Sequence, residues 1–273
     1  MACYLSLLHK MLYDKPSYWS QVNTPFRIIY WVLFLALLSA IEAMNLYAQG
    51  SFLEPKKLAV LAEQGGHITS AALPYYSIYG SKGDSEILGE GDIVFLDSGS
   101  GQGIKPGDQL RVFRVVKLII HPVTKEKLGN LIKVIGKLRI TEASDKTSTA
   151  IITDMYDNAI FKGDRVIPLT QGGAGQEETT SGRKEGEGVT GYIVAIKDEK
   201  RFATQGDIVY IDQGKANAIA VGDTFNIQHP DRLNSATESQ IGMLRIIAVQ
   251  EKTSTAVISH SSTEIAVGDI IVE

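Results

Sequence analysis

Chemistry would have to begin at the histidines, the cysteine, the paired aspartates and the glycine-rich turns, so their spacing is the first question. The five histidines stand at positions 9, 67, 121, 229 and 260. They form no HxxxH or HExxH pair, the spacing that sets two imidazoles on one helical face around zinc. The single cysteine, Cys3, excludes a disulfide framework and any Cys-rich zinc site. His121-Pro122 and His229-Pro230 are read as occupying equivalent places after the same strand in each of two similar stretches. Neither has a nominated base, acid or ligand nearby, so each reads as the place where a strand stops before a proline.

Gly99-Ser100-Gly101-Gln102-Gly103 has neither the GK(S/T) of a P-loop nor the third glycine of a dinucleotide fingerprint, and reads as a hairpin loop. Gly-Asp pairs begin at 91, 107, 163, 206, 222 and 268 without the DxDxDG spacing of a calcium loop, so turn-forming aspartate is the better reading. Gly91, Gly107, Asp108, Gly163, Gly206, Gly222, Asp223 and Gly268 are therefore expected to be structural turn residues. Lys105-Pro106-Gly107-Asp108 fits a type II turn: proline presets φ at the second position and glycine accepts positive φ at the third. No GxSxG elbow occurs, and the Lys-Thr-Ser-Thr-Ala motifs at 146–150 and 252–256 lack the SxxK and SDN companions of a serine acyl-transfer site. Their alternation suits a strand with one wet face. No catalytic residue, metal ligand or cofactor is nominated, and the chain is expected not to be an enzyme.

One charged feature stands out. Between Lys105 and Arg139 there are nine cations and only Asp108 and Glu126 as anions. Two readings are open: a solvated edge protected by Lys and Arg, or a basic arm that docks on an anionic partner surface. On the second, Arg111, Arg114, Lys117, Lys125 and Lys127 are the candidate partner-docking residues.

The elements that would position these residues follow from composition and repetition. The chain has 273 residues, 44 % apolar and 21 % charged, with net charge −4. That is a globular composition and not the strongly basic one of a nucleic-acid binder. Ile28–Ile41 is uncharged and apolar, follows Arg27, and precedes Ala48-Gln49-Gly50. The pattern is that of a secretory signal peptide, or of an N-terminal anchor if it is not cleaved. Met11 is an alternative start. Removing residues 1–50 takes Lys10, Lys15 and Arg27 from the cations and Asp14 and Glu42 from the anions, leaving −5, and it also removes Cys3, Trp19 and Trp31.

The remainder is duplicated. Gly91–Arg114 aligns without a gap on Gly206–His229 at an offset of 115, Gly136–Asp154 on Gly242–His260 at 106, and Gly163–Val166 on Gly268–Ile271 at 105. The first repeat thus carries nine extra residues between Arg114 and Gly136, which lengthen a hairpin expected over about 110–140. Runs of Val, Ile, Thr and Phe at 93–96, 109–120, 131–140 and 147–153 predict strands. The fold class expected is all-β: two tandem homologous small β-barrel or sandwich domains, at 74–169 and 190–273. A low-order segment at 51–73 precedes them, and a flexible Gly/Glu/Thr linker at 170–189 joins them.

The stretches GDIVYIDQGKANAIAVGDTFNIQHP and SQIGMLRIIAVQEKTSTAVISHSSTEIAVGDIIVE resemble the C-terminal region of the type IV pilus secretin-associated protein family. That region is itself similar to the C-terminal domain of a flagellar outer-ring protein. HPVTKEKLGN and GKLRITEASDKTSTAIITDMYDNAIFKGDRVIPL of the first repeat resemble the preceding segment, so the likeness spans about residues 74–273. The resemblance implies a periplasmic, outer-membrane-associated, non-enzymatic structural or adaptor protein. Its partner would be an outer-membrane secretin or envelope ring, with copies arrayed around the ring, peptidoglycan nearby and no nucleic acid. Family members typically carry an N-terminal LysM domain. Only about 23 residues separate Gly50 from Pro74 here, so cell-wall anchoring does not carry over. The alternatives are a carbohydrate- or peptidoglycan-binding module, for which Tyr75-Tyr76 is a weak aromatic platform, and a flagellar ring-associated protein.

Overall fold

The computed structural model describes residues 55–73, 75–169, 188–230 and 240–273. The leader at 1–50 and nearly all of the expected linker at 170–189 lie outside the described residues.

Each repeat closes into a six-stranded antiparallel barrel. In the first, β2 (Tyr76–Ser81), β4 (Ile93–Leu96), β7 (Ser148–Met155), β6 (Lys127–Ala143), β5 (Gln109–Ile120) and β9 (Arg165–Pro168) pair in that order, and β9 returns to β2. A small ribbon of β3 (Ile87–Leu88) and β8 (Ile160–Phe161) flanks it. In the second, β10 (Thr190–Ile196), β12 (Ile208–Ile211), β15 (Ser254–Ser261), β14 (Gln240–Val249), β13 (Thr224–Gln228) and β17 (Ile270–Val272) close the same way. Its ribbon is β11 (Phe202–Ala203) with β16 (Ile265–Ala266). Closure leaves neither barrel an unpaired sheet edge.

The cores are built position for position. Ile78, Val94, Leu138 and Ile152 of barrel one have their counterparts in Ile193, Val209, Leu244 and Ile258 of barrel two. Where barrel one has Leu88 and Leu110, barrel two has Ala203 and Phe225, so one position loses volume where the other gains it. The Gly-Asp turns explain how short strands stay in register. At Lys105–Asp108, Gly107 takes φ +94°, Asp108 N–H donates to the Lys105 carbonyl at 3.1 Å, and the Asp108 carboxylate accepts from Lys105 N–H at 2.8 Å. Asp92, Asp164, Asp207, Asp223 and Asp269 close the other five turns with the same carboxylate bond.

Residues 55–73 differ from the low-order expectation for 51–73. Pro55–Gln64 forms the helix α1, and His67–Thr69 forms β1, which pairs with β6. Pro55 stands at the first helical position, where its missing N–H costs nothing, and Leu58 and Leu61 share one face at i, i+3 spacing.

Candidate functional site

Polar and charged groups gather where the two barrels meet, around the α1–β1 segment and the long β5–β6 hairpin. Gly65, Gly66, His67 and Ile68 are all buried. On one side His67–Thr69 pairs with Ile132–Asn130 of β6. On the other, three hydroxyls of barrel two donate to the segment's carbonyls: Tyr210 Oη to Gly65 at 2.6 Å, Thr255 Oγ1 to Gly66 at 2.9 Å, and Thr253 Oγ1 to Ile68 at 3.2 Å. The pair of glycines permits this close passage. Gly66 has φ +68°, and a Cβ there would stand 2.1 Å from the Ile132 carbonyl oxygen. The Lys-Thr-Ser-Thr-Ala motif of the second repeat therefore has no wet face: Thr253 and Thr255 are buried against β1. Burial pushes the Tyr210 hydroxyl well above the usual tyrosine range.

The hairpin supplies the second contact. His121, at the end of β5 and buried, accepts at Nδ1 from the N–H groups of Val123 and Thr124, both at 3.1 Å. That fixes the proton on Nε2, which donates to Asp212 Oδ2 of barrel two at 2.9 Å. The ring meets Tyr192 edge-on at 5.3 Å. Sequence reading placed His121 and His229 in equivalent positions, and the structure separates them. His229 corresponds to Arg114: Arg114 bonds Asp164 in bidentate fashion at 2.9 and 2.6 Å, and His229 bonds Asp269, the counterpart of Asp164, at 2.7 Å. His121 belongs to the nine-residue insertion.

The candidate docking cations are placed as follows. Arg114 is committed to Asp164, whose hydrogen bond holds the guanidinium above its ordinary value. Lys117 pairs with Glu199 of barrel two at 2.9 Å. Arg111 is half-buried, and desolvation lowers its guanidinium. Lys125 bonds the Pro122 carbonyl at 2.6 Å from the exposed hairpin tip, and Lys127 is exposed beside it. The basic arm thus meets an acidic surface belonging to its own chain, with Arg114 paired to Asp164 and the half-exposed Lys117 paired to Glu199.

Lys133, which was not among the nominated residues, joins carboxylates of both barrels. It bridges Asp157 at 3.0 Å and Asp198 of barrel two at 2.7 Å. Burial alone would lower its ammonium, but the hydrogen bonds to these two carboxylates outweigh that and raise it. Lys137 binds Glu63 of α1, tying the helix to β6. Gln64, Lys133, Tyr156, Asp157 and Asp198 line a polar cleft of about 580 Å³. Its charges are paired with one another across the barrel boundary, an arrangement suited to latching two bodies and not to moving a proton. The signal that could have found Lys133 is the acidic pair Asp198-Glu199 just after β10, a short anionic surface matched to a cationic hairpin.

No family model matches the chain. A stretch of 77 residues is 36 % identical to an uncharacterized protein of Aquifex aeolicus (strain VF5), covering 28 % of this chain and 15 % of that protein. The chain therefore matches only a small part of that relative's length.

Proposed function

We propose that this chain is a non-enzymatic adaptor of the cell envelope that associates with an outer-membrane secretin or a comparable ring, with the type IV pilus machinery as the first candidate. The observation that carries the reading is the latch. Buried hydroxyl–carbonyl bonds, a buried His121–Asp212 pair and the Lys133 bridge join two closed barrels through side chains. A chain that uses its polar groups this way presents outer barrel faces to partners, and many copies around a ring would add weak contacts through avidity. The resemblance of residues 74–273 to the secretin-associated family supports the same reading. It also supports export to the periplasm through the apolar leader.

The test is affinity capture of the tagged full chain from cross-linked envelopes, followed by mass spectrometry. Recovery of a secretin or ring protein in stoichiometric yield is expected. Recovery of glycan alone, with no ring component, overturns the proposal in favour of a carbohydrate-binding module.

A further inference from the structure

The duplication allows each barrel to be compared with the other, and one face differs. In barrel two the outer surface of β10, β12 and β15 is closed: Val194, Tyr210 and Thr255 are 4 %, 1 % and 1 % exposed. The hydroxyls of Tyr210, Thr253 and Thr255 hold the extended Gly65–Ile68 segment. Asp212 accepts Tyr192 N–H at Oδ1 and His121 at Oδ2. Barrel one repeats this scaffold on β2, β4 and β7. The bulge between Ile78 and Gly80 mirrors that between Ile193 and Ala195. The cross-strand pair Phe95–Thr149 stands where barrel two has Tyr210–Thr255. Asp97 Oδ1 accepts Ser77 N–H at 2.6 Å, as Asp212 does from Tyr192 at 2.7 Å.

Here, however, the face is open. Tyr79, the counterpart of Val194, is 55 % exposed and packs its ring on Phe95 at 6.2 Å. Thr147 is exposed and Thr149 half-buried. Their hydroxyls and Asp97 Oδ2 have no hydrogen-bond partner among the described residues. An exposed tyrosine stacked on phenylalanine, beside unpaired hydroxyls and a carboxylate, offers large contact area at low conformational cost with directional groups around it.

We propose that the β2–β4–β7 face of barrel one is a docking surface for an extended segment of a partner protein, gripped as barrel two grips residues 65–68. Carbonyls of that segment accept from Thr147 and Thr149, an N–H donor pairs with Asp97 Oδ2, and a glycine lies at the point of closest approach under Tyr79 and Phe95. The glycine follows from the internal precedent, where a Cβ on Gly65 would crowd Thr255 Cγ2 at 3.1 Å in addition to the Leu61 carbonyl oxygen of its own helix at 2.9 Å. The Gly65–Thr69 segment of a second copy is not the occupant, because that segment is already held between β6 and barrel two of its own chain. The proposal goes beyond the adaptor reading: it fixes the form of the partner segment whichever machine supplies it.

The test places the photoreactive residue p-benzoylphenylalanine at Tyr79 of the full chain in its native host, with Phe202 on the exposed ribbon of barrel two as the control position. The expected result is an adduct at position 79 and not at 202, mapped by tandem mass spectrometry to an extended, glycine-containing segment of a different protein. Combining Thr147→Val, Thr149→Val and Asp97→Asn should reduce its yield about tenfold, the effect of one or two net hydrogen bonds, with an unchanged urea midpoint. Asn keeps the acceptor for Ser77, and Val keeps the strand shape. Should the triple variant unfold earlier, Thr149→Val alone serves, with a smaller loss in the same direction. An adduct to a second copy or to glycan, equal yield at 202, or a yield insensitive to these substitutions overturns the proposal.

Discussion

Acidification should loosen the latch at β1, and the size of the effect follows from one side chain. His67 is buried in the strand that lies between the barrels. Desolvation, with Arg111 adding electrostatic opposition, lowers its imidazole from 6.5 to about 4. Above pH 6.5 neither the folded nor the unfolded chain is protonated there, and the site adds no pH dependence. As the pH falls through 6.5 the unfolded chain takes up a proton that the folded chain refuses until about pH 4. Stability is therefore lost across that window and levels off below it. The gap corresponds to about 3 kcal/mol, a large share of the stability of an ordinary domain. The imidazole has no side-chain hydrogen bond among the described residues, so His67→Leu removes the titration without orphaning a partner. The assay is urea unfolding of both proteins from about pH 7.5 to about pH 4, together with amide exchange at Ile68. The wild type should lose stability relative to the variant over this range, and Ile68 should exchange faster on acidification only in the wild type. Parallel curves for the two proteins, or a wild type that gains stability relative to the variant as the pH falls, would refute the reasoning.

Other perturbations probe the same junction. Gly66→Ala forces a side chain into φ +68° and against the Ile132 carbonyl; a loss of about 2–4 kcal/mol is expected in urea unfolding, and an unchanged midpoint would contradict the close passage. Tyr210→Phe leaves the Gly65 carbonyl without its buried donor and should cost about 1–2 kcal/mol, read as a lower thermal midpoint. His121→Ala strands two backbone N–H groups and one oxygen of Asp212. It should cost about 2–4 kcal/mol and split a single unfolding transition into two as the barrels uncouple. Lys117→Glu reverses a half-exposed pair with Glu199; its effect should stay within about 1 kcal/mol and disappear at high salt.

The barrels were legible because their signals are local. Ile93–Leu96 and Gln109–Ile120 are strands at the expected residues, since β-branched runs bounded by Gly-Asp turns state both the element and its ends. The reciprocal bond between Lys105 and Asp108 is likewise a property of four adjacent residues. The latch was not legible, because nothing local marks it. PKKLAVLAEQ is too short to be a stable helix alone; Leu58 and Leu61 share a face, yet what that face meets is set by β6 and β14, which lie far along the chain. The basic hairpin was visible as a charge count, but a count cannot say that Glu199 and Asp212 complete it from the same chain.

The nine-residue insertion gives two copies of one barrel different surroundings. A closed barrel forces its core to be conserved between copies, because each inward side chain fills space left by the others; hence Ile78 matches Ile193 and Ile152 matches Ile258. Outward positions are set only by what covers them. Extending β5 to Ile120 carries His121 to Asp212, and β13 ends at Gln228 without an equivalent reach. Once the first barrel covers the second, Val194, Tyr210 and Thr255 are held to the demands of a buried contact. Their counterparts Tyr79, Phe95 and Thr149, released from that demand, carry an exposed aromatic pair instead. The inequality of the two faces goes with the longer hairpin and with the Gly65–Ile68 segment that barrel two alone holds, and it leaves barrel one with the surface on which a partner is to be sought.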